Sequence, residues 1–132
     1  MNVFEFFYRA FKKIRFLLYK IVTKILGRIL FSLNGVEYQN GLTVNGLLEL
    51  TVTRNGKFAV GENLKINSGS KFNPIGRQQR TLLWVGGSLL IGDNVGMSST
   101  AIVCHHRISI GNNVKIGGNV VVYDTDFHAL DL

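Results

Sequence analysis

The sequence is poor in cysteine, proline and charged residues. Its 132 residues include one cysteine and one proline, and only 17% are charged. A single cysteine excludes a disulfide framework and a paired-cysteine zinc motif, and a single proline excludes a proline-rich linker. Because 46% of the residues are apolar, the chain is not intrinsically disordered. Its length suits one domain with a core of its own.

Acidic residues are nearly missing from the first quarter of the chain. Residues 1–31 contain seven basic residues and one acidic residue, whereas residues 32–132 contain eight basic and seven acidic residues. The net charge of +7 therefore belongs almost entirely to the N-terminal segment. Since residues 32–132 have no excess of basic residues that would attract nucleic acid, we expect no nucleic acid among the partners.

Residues 1–33 are predicted to form a basic amphipathic helix. They contain no proline, and their one glycine, Gly27, lies near the end. At about 100° per residue, one face is apolar and the opposite face is basic. The apolar face consists of Val3, Phe4, Phe7, Phe11, Ile14, Leu18, Ile21, Val22, Ile25 and Ile29, and the basic face of Arg9, Lys12, Lys13, Lys20, Lys24 and Arg28. The frequent charges argue against a transmembrane span, and no apolar h-region of a secretory signal is present.

The predicted helix has two interpretations that the sequence leaves open. In the first, residues 1–31 lie on an anionic membrane, with Phe and Leu submerged and Lys and Arg on headgroups. We expect a cytoplasmic protein, and in this interpretation it is peripheral at the inner face of the membrane. In the second, the helix caps the following domain or packs against partner subunits, and its basic face is solvated.

Residues 34–132 contain a repeat with a period of six. The segments 60–66, 91–97 and 110–116 read VGENLKI, IGDNVGM and IGNNVKI. Aliphatic residues recur every six positions at Val85, Ile91, Met97, Val103 and, after one extra residue, Ile110, Ile116 and Val122. A second series, Leu83, Leu89, Val95, Ala101, Ile108, Val114 and Val120, precedes them by two positions. The period predicts a chain that turns a corner every six residues and stacks three flat sides per coil, with the extra residue at the Cys104–Arg107 corner.

This repeat resembles that of the hexapeptide-repeat acyltransferases over roughly residues 40–132. The resemblance implies an all-β fold, a left-handed parallel β-helix (a hexapeptide-repeat solenoid), in residues 34–132, and a homotrimer. Residues 69–84 break the period, and within them residues 70–80 are predicted to form a loop that leaves the solenoid, either as a surface excursion or as an arm that shapes a neighbouring subunit's pocket. In that loop Arg77 and Arg80 could contact a phosphate or carboxylate.

The end of the sequence holds the strongest cluster of reactive residues. Residues 122–131 read VYDTDFHALD, and the predicted corner after Val122 puts His128 on a loop. A histidine there can accept and return a proton near neutral pH. The run is similar to one in sugar O-acetyltransferases of the maltose, galactoside and capsular-polysaccharide type. That resemblance implies that His128 is the general base that deprotonates an acceptor hydroxyl for attack on acetyl-CoA.

Other polar residues are candidates for the same site. Asp124 and Asp126 would orient the imidazole or hold sugar hydroxyls, or else are polar turn residues. Ser98 or Ser99 would donate a hydrogen bond one coil earlier. In the string Cys104-His105-His106, alternation predicts Cys104 and His106 on one face and His105 on the other. Two such ligands do not make a zinc site, so we expect no metal. The string is either a surface corner or, through His105 or His106, a wall of the acceptor pocket that faces His128 of another chain.

Together these residues and the resemblance imply an acetyltransferase that moves an acetyl group from acetyl-CoA to a sugar hydroxyl in cell-surface polysaccharide biosynthesis. In the resembled family, further coils follow the histidine and form the CoA channel between subunits. None follows Leu132, so we expect the sequence to lack its C-terminal coils, the CoA-binding residues to be missing, and residues 1–132 alone to have weak or no activity. The alternative is a non-catalytic solenoid that serves as a scaffold or binding module.

Overall fold

The protein begins with one long helix, as the sequence predicts. The structure, a computed structural model, describes residues 1–75 and 79–128. Helix α1 spans Val3–Leu33; the side chain of Asn2 caps its start by accepting a hydrogen bond from the backbone N–H of Glu5 at 2.8 Å. At the other end, the side-chain nitrogen of Asn34 donates to the carbonyl of Leu30 at 3.0 Å. In the described ranges no helix has the length and apolarity that crossing a membrane requires.

Twelve short strands follow α1 in the described residues and form three sheets. They are β1 (Glu37–Tyr38), β2 (Thr43–Asn45), β3 (Glu49–Val52), β4 (Lys57–Val60), β5 (Lys65–Asn67), β6 (Leu82–Val85), β7 (Ser88–Ile91), β8 (Gly96–Ser98), β9 (Ala101–Cys104), β10 (Arg107–Ile110), β11 (Lys115–Ile116) and β12 (Val121–Tyr123). Each strand pairs in parallel with the strand three places further along, which gives the orders β1-β4-β7-β10, β2-β5-β8-β11 and β3-β6-β9-β12. We call residues 34–128 the three-sheet body; its stacked parallel strands are compatible with a parallel β-helix.

The core of the three-sheet body consists of apolar columns that run from strand to strand. Ile66 of β5 pairs with Met97 of β8, and Met97 pairs with Ile116 of β11. Ile66 and Met97 are at most 2% exposed. Burying such side chains is worth about 1.5–3 kcal/mol each. The sixfold period therefore marks inward positions in this sheet, as predicted.

Asparagines stack at one corner of the body. Asn63, Asn94 and Asn113 occupy the fourth position of the three repeats and have φ angles of 58°, 55° and 61°. This left-handed region is one that asparagine tolerates better than most residues. The side-chain nitrogen of Asn63 donates to Asn94 at 3.0 Å, and that of Asn94 donates to Asn113 at 3.2 Å. The repeated asparagine thus serves both the turn and the bond between coils.

Both predicted series fail in the sheet β3-β6-β9-β12: Val120, predicted to face inward, is 38% exposed, and Val122 pairs with Ile102 and not with Val103. In β9 the fully buried side chains are Ile102 and Cys104, whereas Val103 is half-buried on the outer face. The extra residue lies in the corner before Ala101, where Ser99 has a φ of 44°, and not in the corner after Cys104. The predicted pairing of Cys104 with His106 on one face is also wrong, because His105 and His106 are both exposed.

The C-terminal third of α1 covers the first strands of the body. Thr23, Gly27 and Phe31 are its buried residues, and their spacing of four places them on one stripe of the helix. The hydroxyl of Thr23 accepts a hydrogen bond from the backbone N–H of Gly46 at 3.0 Å. The ring of Phe31 lies 5.8 Å from that of Phe58 within the core. This part of the helix caps the body, as one of the two interpretations predicts.

The irregular segment between β5 and β6 connects distant parts of the chain. Its Phe72 ring stacks on Tyr19 of α1, with centroids 6.0 Å apart. Its Ile75 carbonyl accepts a hydrogen bond from the side chain of Asn119 at 3.2 Å. Residues 70–75 and 79–80 contain no helix or strand, which confirms the predicted loop in that part of the segment. Arg80 is exposed, and Arg77 lies outside the described residues.

Candidate functional site

The carboxylate of Asp124 closes the corner between β9 and β10. It accepts backbone N–H hydrogen bonds from His105 at 2.6 Å, His106 at 2.8 Å and Arg107 at 2.7 Å. The register of β12 on β9 pairs Tyr123 with Val103, so the next residue, Asp124, follows above Cys104. A carboxylate that accepts three N–H bonds is held in one place. Asp124 is therefore a structural anchor for the chain that leads to His128.

The same contacts set the ionisation of two buried or half-buried groups. Desolvation would raise the pKa of Asp124, but the three N–H donors outweigh it, with a smaller contribution from the charge of His106, so the pKa lies below its usual value. Burial, and then the charge of Asp124, raise the pKa of the Cys104 thiol. At neutral pH the corner thus holds a carboxylate above a protonated thiol, whose sulfur lies 3.9 Å from an Asp124 oxygen.

Four aromatic rings line the outer surface of this corner. We call Trp84, His105, Tyr123 and Phe127 the aromatic ledge. The imidazole of His105 lies 4.5 Å from the indole of Trp84 and 5.7 Å from the ring of Phe127, centroid to centroid. The rings of Tyr123 and Phe127 are 5.6 Å apart. These spacings are those at which aromatic pairs attract one another, so the ledge forms a continuous surface.

Glycine allows the indole to lie across the neighbouring corner. A Cβ atom on Gly86 would come within 2.6 Å of the Trp84 ring, a distance that requires the ring or the backbone to move. Trp84 and Tyr123 lie in the same outward column, on either side of Val103 in the register. The ledge therefore extends over three successive strands of one sheet.

His128 comes directly after the ledge residue Phe127. Phe127 has a φ of 59°, and such a conformation costs a non-glycine residue about 1–2 kcal/mol. Its backbone N–H donates to the hydroxyl of Thr125 at 3.3 Å, which holds the turn. Both Phe127 and His128 are exposed. The predicted general base thus stands on an open corner, where a dissolved substrate can reach its imidazole.

The structure brings together some of the predicted site residues and separates others. Asp124 and His105 lie in one cluster at the corner that precedes His128, and Asp126 is exposed in the same turn. Ser98 and Ser99 precede β9, whereas His105 follows it, and four strand residues span roughly 10 Å. Ser98 is half-buried, and Ser99 is fully buried. The two serines therefore belong to a different corner from His105.

Trp84, Tyr123 and Phe127 were not among the predicted site residues. Trp84 is the one tryptophan of the chain, and its distance in sequence from Phe127 gave no reason to group them. The signal that could have found the ledge is the strand register of 19 or 20 residues, which relates Trp84, Val103 and Tyr123.

No group of three His, Cys, Asp or Glu side chains in the part of the chain described here is arranged to hold a metal ion; the expectation of no metal stays a prediction. Comparison of the chain with protein-family models, with curated proteins and with solved structures found no match.

Proposed function

We propose that this chain is an acetyl-CoA-dependent O-acetyltransferase that acts on a carbohydrate hydroxyl and is built on a left-handed hexapeptide-repeat β-helix. The observation that carries the proposal is the exposed His128 beside the aromatic ledge, on a turn that Asp124 anchors. The stacked parallel strands and the sixfold columns support the resemblance from which the activity follows.

In the proposed reaction, His128 acts as a general base. Its neutral imidazole takes the proton of a sugar hydroxyl, and the alkoxide attacks the carbonyl carbon of the acetyl thioester. The carbon–sulfur bond of the tetrahedral intermediate then breaks. The CoA thiolate leaves and takes the proton from the imidazolium, so the products are the O-acetyl sugar and free CoA. No acyl-enzyme forms, and atoms and charges balance.

The aromatic ledge is the proposed acceptor platform. Sugar rings have one face of C–H groups, and flat aromatic side chains bury such a face without needing a fixed hydrogen-bond pattern. Phe127 contributes a ring that is 59% exposed, next in sequence to His128. A sugar on this ledge would keep its hydroxyls free for the imidazole. Asp126, exposed in the same turn, is the proposed partner for other sugar hydroxyls.

Other parts of the proposal rest on the resemblance alone. They are a homotrimer, a cytoplasmic location and a role in cell-surface polysaccharide biosynthesis. Ser98 and Ser99 remain predicted hydrogen-bond donors; their corner lies at the other end of β9, so they would contact a different part of a substrate from His105.

The test is acetyl transfer to a panel of hexoses, N-acetylhexosamines and disaccharides, with mass spectrometry of the sugar product. Because we expect a low rate, the assay uses protein in stoichiometric amount with acetyl-CoA. His128→Ala is compared with His106→Ala, which removes an exposed imidazole but keeps the backbone N–H that Asp124 uses.

Transfer that is lost in His128→Ala and kept in His106→Ala supports the proposal. Sugar binding detected through the fluorescence of Trp84, with no transfer even at stoichiometric protein, would favour the alternative of a binding module for residues 1–132. Transfer that survives in His128→Ala removes the proposed base.

A further inference from the structure

The face of α1 that packs on the body is not its apolar face. Thr23, Gly27 and Phe31 form the packed stripe. Ile25 and Ile29 are each two residues from Gly27, so they lie about 200° around the helix from it. They are 55% and 48% exposed. The helix therefore caps the body with one side and turns its apolar side away from it.

The exposed apolar side forms one continuous surface, which we call the apolar stripe. It comprises Val3, Phe4, Phe7, Phe11, Ile14, Leu18, Ile21, Val22, Ile25 and Ile29, all of them between 48% and 85% exposed. From Val3 to Ile29 it is roughly 39 Å long at 1.5 Å per residue. Soluble monomers rarely expose continuous apolar patches larger than a few hundred Å². An apolar surface of this extent therefore indicates a binding site for another surface.

The charges of the helix indicate what covers the stripe. Seven basic residues and one acidic residue lie in α1. Five cations line a groove of about 420 Å³ along the helix, which we call the cationic groove: Arg9, Lys12, Lys13, Arg15 and Lys71. A helix is about 10–12 Å across, so the four groove cations on α1 lie at most about one helix diameter from the surface that the stripe contacts, a distance comparable to the Debye length of about 8–10 Å. An anionic surface is therefore the complementary partner.

A second copy of the chain fits these charges poorly. The basic face lies opposite the stripe, so two stripes packed together would cover apolar surface but would bring no anionic group to the seven cations of either helix, whose one acidic residue is Glu5. An anionic bilayer, in contrast, offers an apolar interior for the stripe and phosphates for the cations.

We propose that α1 binds flat on a bilayer that contains anionic phospholipid. The apolar stripe enters the boundary between headgroups and acyl chains, the basic side chains lie above the headgroups and attract the lipid phosphates at longer range, and the body stands on the side of the helix away from the lipid. The proposal does not depend on the acetyltransferase activity, since none of its residues belongs to the aromatic ledge.

The test is flotation of the purified chain with vesicles of phosphatidylcholine containing about 30 mol% phosphatidylglycerol, against vesicles of phosphatidylcholine alone. The variant Phe7→Gln/Phe11→Gln/Leu18→Gln removes apolar surface without changing charge. Its control, Leu47→Gln/Ile75→Gln/Leu90→Gln, also replaces three exposed apolar residues with glutamine, but in the body. A third variant, Lys12→Gln/Lys13→Gln/Arg15→Gln, removes charge alone. Circular dichroism verifies that each variant is folded.

We expect the chain to float with the anionic vesicles and the stripe variant to lose about tenfold or more in partition. The body control should float like the original chain, and the charge variant and about 0.5 M salt should each weaken binding. Equal partition of the stripe variant and the body control would overturn the proposal. So would equal flotation with both vesicle types. Analytical ultracentrifugation without lipid provides a further check. If the original chain is an oligomer and the stripe variant is a monomer that still floats as well as the original, the stripe binds a second copy instead.

Discussion

The backbone nitrogen of His105 lies 2.6 Å from a carboxylate oxygen of Asp124, 19 residues further along the chain. This bond and its two neighbours join one corner of the body to the turn that carries His128. The sequence suggests Asp124 as a substrate ligand, but its carboxylate accepts three hydrogen bonds from backbone N–H groups. Its effect on the site is to position other residues.

Replacing Asp124 with asparagine should therefore reduce stability. The amide keeps one acceptor oxygen but turns an N–H₂ group toward backbone donors. Bonds to an ionised acceptor contribute about 1.5–3 kcal/mol each when buried; because solvent screens this half-buried group, we expect a total loss of about 1–2 kcal/mol. Urea unfolding measures it. Asp126→Asn, an exposed carboxylate two residues away, is the control, and equal losses in the two variants would contradict the assignment.

The low pKa of Asp124 predicts how stability changes with pH. A carboxyl whose pKa is lower in the folded state stabilises the fold fully above its unfolded pKa of about 3.9, and this contribution is lost as the pH falls through the folded pKa. The gap in unfolding free energy between the original chain and Asp124→Asn should be constant near pH 6 and shrink below about pH 4. A gap that stays unchanged down to pH 3, or widens, would refute the lowered pKa.

Cys104 should react slowly with thiol reagents in the folded protein. Burial, followed by the charge of Asp124, raises the pKa of this thiol, and the thiolate is the reactive form. We expect labelling by a disulfide reagent to be much faster in urea than in buffer. Asp124→Asn should accelerate labelling of the folded chain, because it removes the negative charge and loosens the corner. Asp126→Asn should not accelerate labelling. If it accelerates labelling as much as Asp124→Asn does, the charge of Asp124 does not control the reactivity of Cys104.

The sequence predicts those features of the fold that depend only on the six-residue spacing of the repeat. The repeated asparagines and the columns through Ile91 and Met97 were visible because each element keeps the period of six. The error in β9 has a physical cause. One residue is inserted between Met97 and Ile110, and either Val103 or the pair Ile102 and Cys104 gives an acceptable apolar column. Only the backbone of the corner, with Ser99 at positive φ, decides between them.

The candidate site was predictable only in part, for a similar reason. His128 was found because a local motif surrounds it. The aromatic ledge depends on which strand lies above which, and the register joins Trp84 to residues about 40 positions later. For α1 the apolar face was predicted correctly, but the packing face was not identified, because Thr23 and Gly27 are neither large nor apolar. Close helix packing favours such residues, and hydrophobic periodicity does not detect them.

Gly27 should be intolerant of any side chain. A Cβ atom there would lie 2.5 Å from the Cβ of Val44, so the helix would have to move off the body. Overpacking costs about 1–3 kcal/mol, whereas alanine gains at most about 1 kcal/mol in helix propensity. We expect Gly27→Ala to lower the unfolding free energy by about 1–2 kcal/mol by chemical denaturation. Gly111→Ala, where no atom lies within 4 Å of the new Cβ, is the control and should change stability by less than about 0.5 kcal/mol.

The aromatic ledge should respond to sugars through its own tryptophan. Trp84 is the sole tryptophan, so its fluorescence reports on this surface alone. If a sugar ring packs on the ledge, Phe127→Ala should weaken its binding about two- to tenfold, the equivalent of 0.5–1.5 kcal/mol for one aromatic contact. Phe72→Ala removes a ring that packs on Tyr19 of α1, outside the ledge, and should leave the titration unchanged. Both variants lose the same side chain, so they can be compared directly. If Phe72→Ala weakens sugar binding more than Phe127→Ala does, the sugar does not bind on the ledge, and the acceptor platform lies elsewhere on the body.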